Sequence, residues 1–162
     1  MQLVELIPNI NVSRLCYGSL AIGPLQRCLS PQDGGRLIRL ALESGINFFD
    51  TAELYGTYEH LAVGFSGWQK DVVIATKSYA CDRPSMQASL EKALRLLKRD
   101  YIDIFLLHEQ DSKLTLRGHQ EALEYLQEAK QRGTVRAIGI STHSVVGVKD
   151  GTEHDVIEII HP

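Results

Sequence analysis

Four residues able to give, take or stabilise a proton stand where apolar runs end. Asp50 closes Ile46-Asn47-Phe48-Phe49, Lys77 follows Val72-Val73-Ile74-Ala75-Thr76, and His108 follows Ile102-Asp103-Ile104-Phe105-Leu106-Leu107. Tyr55 lies a short loop beyond Asp50. Runs of that length predict strands buried on both faces, as in a parallel sheet. Polar side chains at the carboxyl ends of such strands are where α/β proteins place their chemistry. A carboxylate, a phenol, an amine and an imidazole at one mouth suit reduction of a carbonyl. A tyrosine of pKa about 10 donates its proton reluctantly near neutral pH, and a lysine ammonium within about 4–6 Å lowers that value. Each unit of lowering corresponds to about 1.4 kcal/mol. Asp50 would hold Lys77 in place and charged, and His108 would donate a hydrogen bond to the carbonyl oxygen as charge develops there. No side chain supplies a hydride, so the reaction would need a cofactor. Singly, each residue also has a structural explanation: a turn cap, a solvated amine, a surface aromatic, a strand-end imidazole. Their combination is what points to chemistry.

The elements that must position these groups alternate strand and helix. Leu15 to Leu20 reads as a first strand, followed by a helix announced by Ser30-Pro31, with Ser as N-cap and Pro at the first helical position. Leu37, Ile38 and Ala41 are expected on its inner face, and Gly45 at its end. Strands are predicted over 47–50, 72–76, 102–107, 135–141 and 155–160, and helices over 59–65, 85–98 and 118–132. Val145-Val146-Gly147-Val148 is poor helix material. Alternation with buried strands means a parallel sheet, either open and doubly wound or a (β/α)8 barrel of the TIM type. Gly18-Ser19-Leu20-Ala21-Ile22-Gly23 does not match the G-x-G-x-x-G turn of a dinucleotide-binding open sheet. A complete barrel typically takes about 250 residues. The 162 residues here supply about six strands, an apparently incomplete barrel.

The stretch Gly45-Ile46-Asn47-Phe48-Phe49-Asp50-Thr51-Ala52-Glu53-Leu54-Tyr55-Gly56 resembles the signature of the aldo-keto reductase family. Ala75-Thr76-Lys77-Ser78 resembles its catalytic-lysine strand, and Asp103-Ile104-Phe105-Leu106-Leu107-His108 its catalytic-histidine strand. The resemblance runs from about Leu15 to the last residue. It implies that Asp50, Tyr55, Lys77 and His108 are a catalytic tetrad with Tyr55 as proton donor. It implies a nicotinamide cofactor, NADPH or else NADH, and a small-molecule aldehyde or ketone as substrate. Gly18, Ser19 and Leu20 correspond to the family's first cofactor-contacting loop, and Asp50 adjoins the same cofactor site. Arg136-Ala137-Ile138-Gly139-Ile140-Ser141-Thr142-His143 resembles the segment that contacts the nicotinamide carboxamide, with Ser141 and Thr142 where many members have Ser-Asn. That variant resembles a bacterial branch, some of whose members carry carboxy-terminal iron–sulfur motifs. No such motif is present, and no metal is expected.

The family's late basic segment, last strands and carboxy-terminal tail find no counterpart. The chain 1–162 is therefore expected to be one barrel domain truncated at its carboxyl end, with exposed barrel edges through which copies could form a homo-oligomer. An alternative is a catalytically incompetent remnant or oligomerisation module of the same fold. A third reading, a metal-dependent barrel hydrolase using His108, His143, Asp50 and Lys77, lacks an H-x-H or H-E-x-x-H pair and leaves Tyr55 unexplained. Composition narrows the field further. A net charge of -3 with dispersed Lys and Arg gives no nucleic-acid stripe. No run approaches the roughly 20 apolar residues that span a bilayer, and Met1 to Val12 does not read as a signal peptide, so a cytoplasmic protein is expected. Cys16, Cys28 and Cys81 form no C-x-x-C pair and are expected as buried or half-buried thiols.

Overall fold

A computed structural model describes residues 1–161. An antiparallel hairpin, β1 (Leu3–Ile7) and β2 (Ile10–Ser13), precedes the main sheet. The sheet contains β3 (Cys16–Gly18), β4 (Phe48–Asp50), β5 (Val73–Ser78), β6 (Ile102–Leu107), β7 (Val135–Ser141) and β8 (Ile159–His161), ordered β3-β4-β5-β6-β7-β8. That sequential order, with helices in the connections, is the succession expected of an incomplete (β/α)8 barrel and not of a doubly wound sheet, whose strand order reverses. The helices are α1 (Pro31–Glu43), α2 (Tyr58–Phe65), α3 (Arg83–Leu97), α4 (Lys113–Gly118), α5 (Gln120–Gln131) and α6 (Val145–Thr152). None of the described helices is long and apolar enough to cross a membrane. The chain divides into two compact units, one of Met1–Thr76 with Arg95–Arg99, the other of Lys77–Leu94 with the chain from Asp100 onward.

In the first unit, β4 pairs in parallel register with both β3 and the start of β5, so that Gly18 lies opposite Asp50 and Asp50 opposite Ala75. Helix α1 begins as its sequence predicts. Ser30 accepts the Asp33 amide at 3.1 Å, Pro31 fills the first helical position, and Gly45 follows the helix at φ 89°. Ile38, Ala41 and Leu42 form its buried face, whereas Leu37, expected there, is exposed. Successive helical residues lie about 100° apart, so the i, i+3, i+4 set that includes Ile38 excludes Leu37. The hairpin was not predicted. Its side chains are mostly exposed on β1, which blurs the alternation, and it is tied to the sheet by Asn47, whose Oδ1 accepts the Ser13 amide at 2.6 Å.

In the second unit, β6 and β7 pair over most of their length, and β8 pairs with β7 from Gly139 to Ser141. Phe105, Leu106, Leu107, Ile138 and Ile140 are fully buried, as the apolar runs require. Within β6, Asp103 is also buried, and Arg136 of β7 offsets its charge at 2.9 Å. Helix α5 buries Ala122, Leu123, Leu126 and Ala129 as expected. Three other expectations fail. Residues 155–158 do not join β8, because the Ile157 amide closes a turn onto the His154 carbonyl. Val145 to Val148 are helical because Ser144 accepts the Val146 and Gly147 amides at 3.1 and 3.3 Å, supplying the cap that low helix propensity needs. The three cysteines, expected to be at least half-buried, are exposed. Cys16 lies on edge strand β3, and Cys28 and Cys81 occupy connections between elements.

Candidate active site

The sequence-predicted residues divide between the two units. Asp50, Tyr55, Gly18, Ser19 and Leu20 belong to the first, and Lys77, His108, Ser141 and Thr142 to the second. In the first unit Asp50 is the last residue of β4 and is buried. Its carbonyl accepts the Ser19 amide at 2.9 Å, which seats the turn after β3 against the end of β4. Gly18 has open space where a side chain would project, and Leu20 starts a 3-10 turn over Leu20–Ile22. Tyr55 ends a second 3-10 turn, Glu53–Tyr55, and is half-buried. Gly56 follows at φ 63°, a left-handed conformation that turns the chain into α2.

In the segment that flanks Tyr55 the structure reveals a hydroxyl cluster that no motif in the sequence announces. The Thr57 hydroxyl lies 2.8 Å from that of Ser19 and 2.9 Å from that of Thr51, and all three residues are fully buried. Thr57 stands at the N-cap of α2 but does not cap it, its hydroxyl being engaged with the other two. Tyr58 is a second phenol close in sequence to Tyr55, and its surroundings suit it to a different role. It is buried, its hydroxyl is 2.7 Å from that of Thr76, and burial raises its pKa far above the usual tyrosine value, a shift the Thr76 hydrogen bond only partly opposes.

In the second unit Lys77 is buried inside β5, which continues to Ser78, one residue beyond the lysine and two beyond the predicted strand. The His108 amide donates to the Ser78 carbonyl at 3.0 Å, so the end of β6 is fixed beside the residue after Lys77. His108 is itself buried, and Tyr79 stacks on its imidazole with ring centroids 4.3 Å apart and planes 21° apart. Ser141 ends β7. Its carbonyl accepts the Gln110 amide at 2.7 Å and its Oγ accepts the Glu109 amide at 3.0 Å, while the Gln110 side chain donates to the His108 carbonyl at 3.0 Å. His108 and Ser141 are thus held in one network. The Ser141 hydroxyl accepts one hydrogen bond and retains a proton to donate. Thr142 differs: its Oγ1 accepts the Ser144 amide at 3.0 Å and donates to the Ser144 carbonyl at 3.3 Å. His143, needed by the metal reading, is exposed and lies 3.8 Å from Glu109. No group of three or more metal-ligating side chains occurs among the described residues.

Parallel β/α architecture with strands in sequential order, and buried Lys and His at successive strand ends, defines the chain as an α/β protein of the barrel type. The sequence profile of the Aldo/keto reductase family matches residues 14–161, and the chain belongs to that family. L-galactose dehydrogenase of Arabidopsis thaliana is 27% identical over 174 residues, covering 94% of this chain and 54% of that protein. A thermostable aldo-keto reductase solved with the inhibitor epalrestat superposes with a TM-score of 0.82 at 24% identity, covering 99% of this chain and 61% of that one. A Bombyx mori aldo-keto reductase solved with NADP gives 0.77 at 21% identity, covering 99% of this chain and 56% of that one. These two likenesses establish the fold. The chain spans about half the length of the curated relatives it matches.

Proposed function

We propose that this chain carries the catalytic residues of a nicotinamide-dependent carbonyl reductase, with Tyr55 donating the proton to the carbonyl oxygen of an aldehyde or ketone. The observation that supports this best is positional. Asp50 and Lys77 lie buried at the carboxyl ends of β4 and β5, His108 immediately follows β6, and Tyr55 ends the turn that leaves β4. Those are the positions at which the family's tetrad falls in the sequence.

The residues divide the work by chemistry. Tyr55 holds the proton to be transferred. The resemblance to the family assigns Lys77 the role of the amine that favours its loss and Asp50 that of the carboxylate accompanying the lysine. His108, braced by Tyr79 and by the network through Gln110, donates a hydrogen bond to the substrate oxygen. A bound nicotinamide supplies the hydride, and the NADP complex of the silkworm protein makes NADPH the form to test first. Ser141, with a hydroxyl proton available, suits the carboxamide oxygen. The Thr142 hydroxyl is already engaged at both its donor and acceptor sides, so Ser141 carries more of that role. Gly18 leaves open space where a side chain would project, and Ser19 anchors the turn beside it through its amide and hydroxyl.

The test is NADPH fluorescence and turnover of a broad aldehyde by the folded chain, compared with Tyr55→Phe. The expected result is cofactor quenching in both proteins and a turnover loss of about 10²–10⁴-fold in the variant, the usual worth of a positioned acid. Near-normal turnover in Tyr55→Phe would remove the proton-donor assignment. A folded wild-type chain that neither binds nor oxidises NADPH would leave instead a module that keeps the family fold without catalysis.

A further inference from the structure

The first unit contains a cavity of about 230 Å³ whose lining includes Trp68, Lys70, Lys98 and Arg99. It lies beside Val72, which immediately precedes β5, and so at the amino end of that strand. Asp50 occupies the carboxyl end of the parallel neighbour β4, with Phe48 paired to Val73. The cavity is therefore separate from the candidate active site within the same unit. Its lining contains three cationic side chains and no carboxylate among the described residues. In a chain of net charge -3, a concavity of one positive sign is a local feature with a local purpose.

Two further features concern how those charges are held. The Arg39 guanidinium lies 5.4 Å and the Lys70 ammonium 5.6 Å from the centroid of the Trp68 ring. The indole thus gathers cations at the cavity, and Arg39 also donates to the Ser66 carbonyl on the lining. Lys98 directly follows α3 in a left-handed conformation, φ 56°. Glycine adopts that conformation freely and is the usual residue after a helix, so a lysine there keeps its charge at the cavity against backbone preference.

We infer that this cavity binds a small phosphate-bearing anion, through Lys70 and Lys98, at a site distinct from the carbonyl-reducing one; Arg99 lines it with its guanidinium already engaged on the Val72 carbonyl at 3.4 Å. A phosphate dianion matches two gathered cations better than a single carboxylate does. The volume is below the roughly 300–1,000 Å³ of pockets that enclose drug-sized ligands, which favours inorganic phosphate or a short phosphomonoester.

Trp68 is the only tryptophan of the chain, so its emission reports on this cavity directly. The experiment titrates the full chain with inorganic phosphate and with glycerol 2-phosphate, against sodium chloride at matched ionic strength. A saturable change in emission with either phosphate and none with chloride is expected. Tighter binding of glycerol 2-phosphate would identify a phosphomonoester as the ligand class, and equal or tighter binding of inorganic phosphate would identify the free ion. Lys98→Gly, which suits the backbone there, should fold at least as well as wild type and weaken binding by about tenfold. Lys70→Gln should weaken it similarly. A response that follows ionic strength alone, or an affinity unchanged in both folded variants, would overturn the inference.

Discussion

Thr57 shows how a residue outside the chemistry can hold it in place. Its hydroxyl joins those of Ser19 and Thr51, so one side chain links the turn after β3, the end of β4 and the start of α2. Tyr55 lies two residues before it, between those anchors. Thr57→Val keeps the shape but removes the hydroxyl, leaving Ser19 and Thr51 each one partner short in a fully buried setting. A lost buried partner costs about 1–3 kcal/mol, and partial relaxation of the freed hydroxyls places the expected loss at about 2 kcal/mol. The midpoint of urea unfolding should fall in Thr57→Val with an unchanged slope, and most of the loss should return in Thr57→Ser. An unchanged midpoint in Thr57→Val would deny the cluster its role. The strand-end placement of Asp50, Lys77 and His108 was legible in the sequence because strand ends are marked by the apolar runs before them. The Thr57–Ser19 contact was not, since it joins residues 38 apart and no local pattern reports a hydroxyl's partner.

At the scale of elements, strands were the most legible part of the fold, because burial on both faces writes a continuous apolar run. Their parallel arrangement was legible too, because the first four predicted strands were each followed by a predicted helix. What escaped was decided by caps and by close packing. Helix α6 forms from β-branched residues and glycine only because Ser144 caps it. Helix α4 is likewise set by the reciprocal cap of Ser112 and Thr115. The pair α1 and α2 shows the packing case. A Cβ built on Gly64 would lie 2.6 Å from Cβ of Ile38 and also meet that residue's Cγ2, so the two helices approach through the glycine. Alanine is favoured over glycine in a helix by about 1 kcal/mol, and overpacking costs about 1–3 kcal/mol. The Ile38 Cβ cannot swing away by changing rotamer, so packing outweighs propensity. Gly64→Ala is expected to lose about 1–2 kcal/mol in chemical denaturation despite the better helix former, and a gain in stability would show that the helices separate at little cost.

For the molecule as a whole, the buried Tyr58 and the half-buried Tyr17 set how stability depends on alkaline pH. Tyr58 is raised by burial well above its ordinary value of 10.0, and burial raises Tyr17 in the same direction. Below about pH 10 both phenols are neutral in the folded and unfolded chain alike, and neither makes stability depend on pH. Above that pH the unfolded chain releases the Tyr58 proton while the folded chain retains it. The unfolded state then binds fewer protons, so stability falls as pH rises, by up to about 1.4 kcal/mol per pH unit for each such group. The acidic limb offers no comparable effect from Asp82 or Glu128, whose pKa values are lowered by Ser85 and Arg83 respectively, because both carboxylates are exposed and screened. Tyr58→Phe separates the proton effect from the hydrogen bond to Thr76. Near neutral pH the variant should be the less stable protein, having lost that bond at a cost of about 1 kcal/mol. As pH rises past about 10 the wild type should lose stability faster than the variant, and the two unfolding midpoints should converge. Midpoints that stay parallel across that range would mean that Tyr58 ionises as readily in the folded chain as in the unfolded one, which its burial against Thr76 opposes.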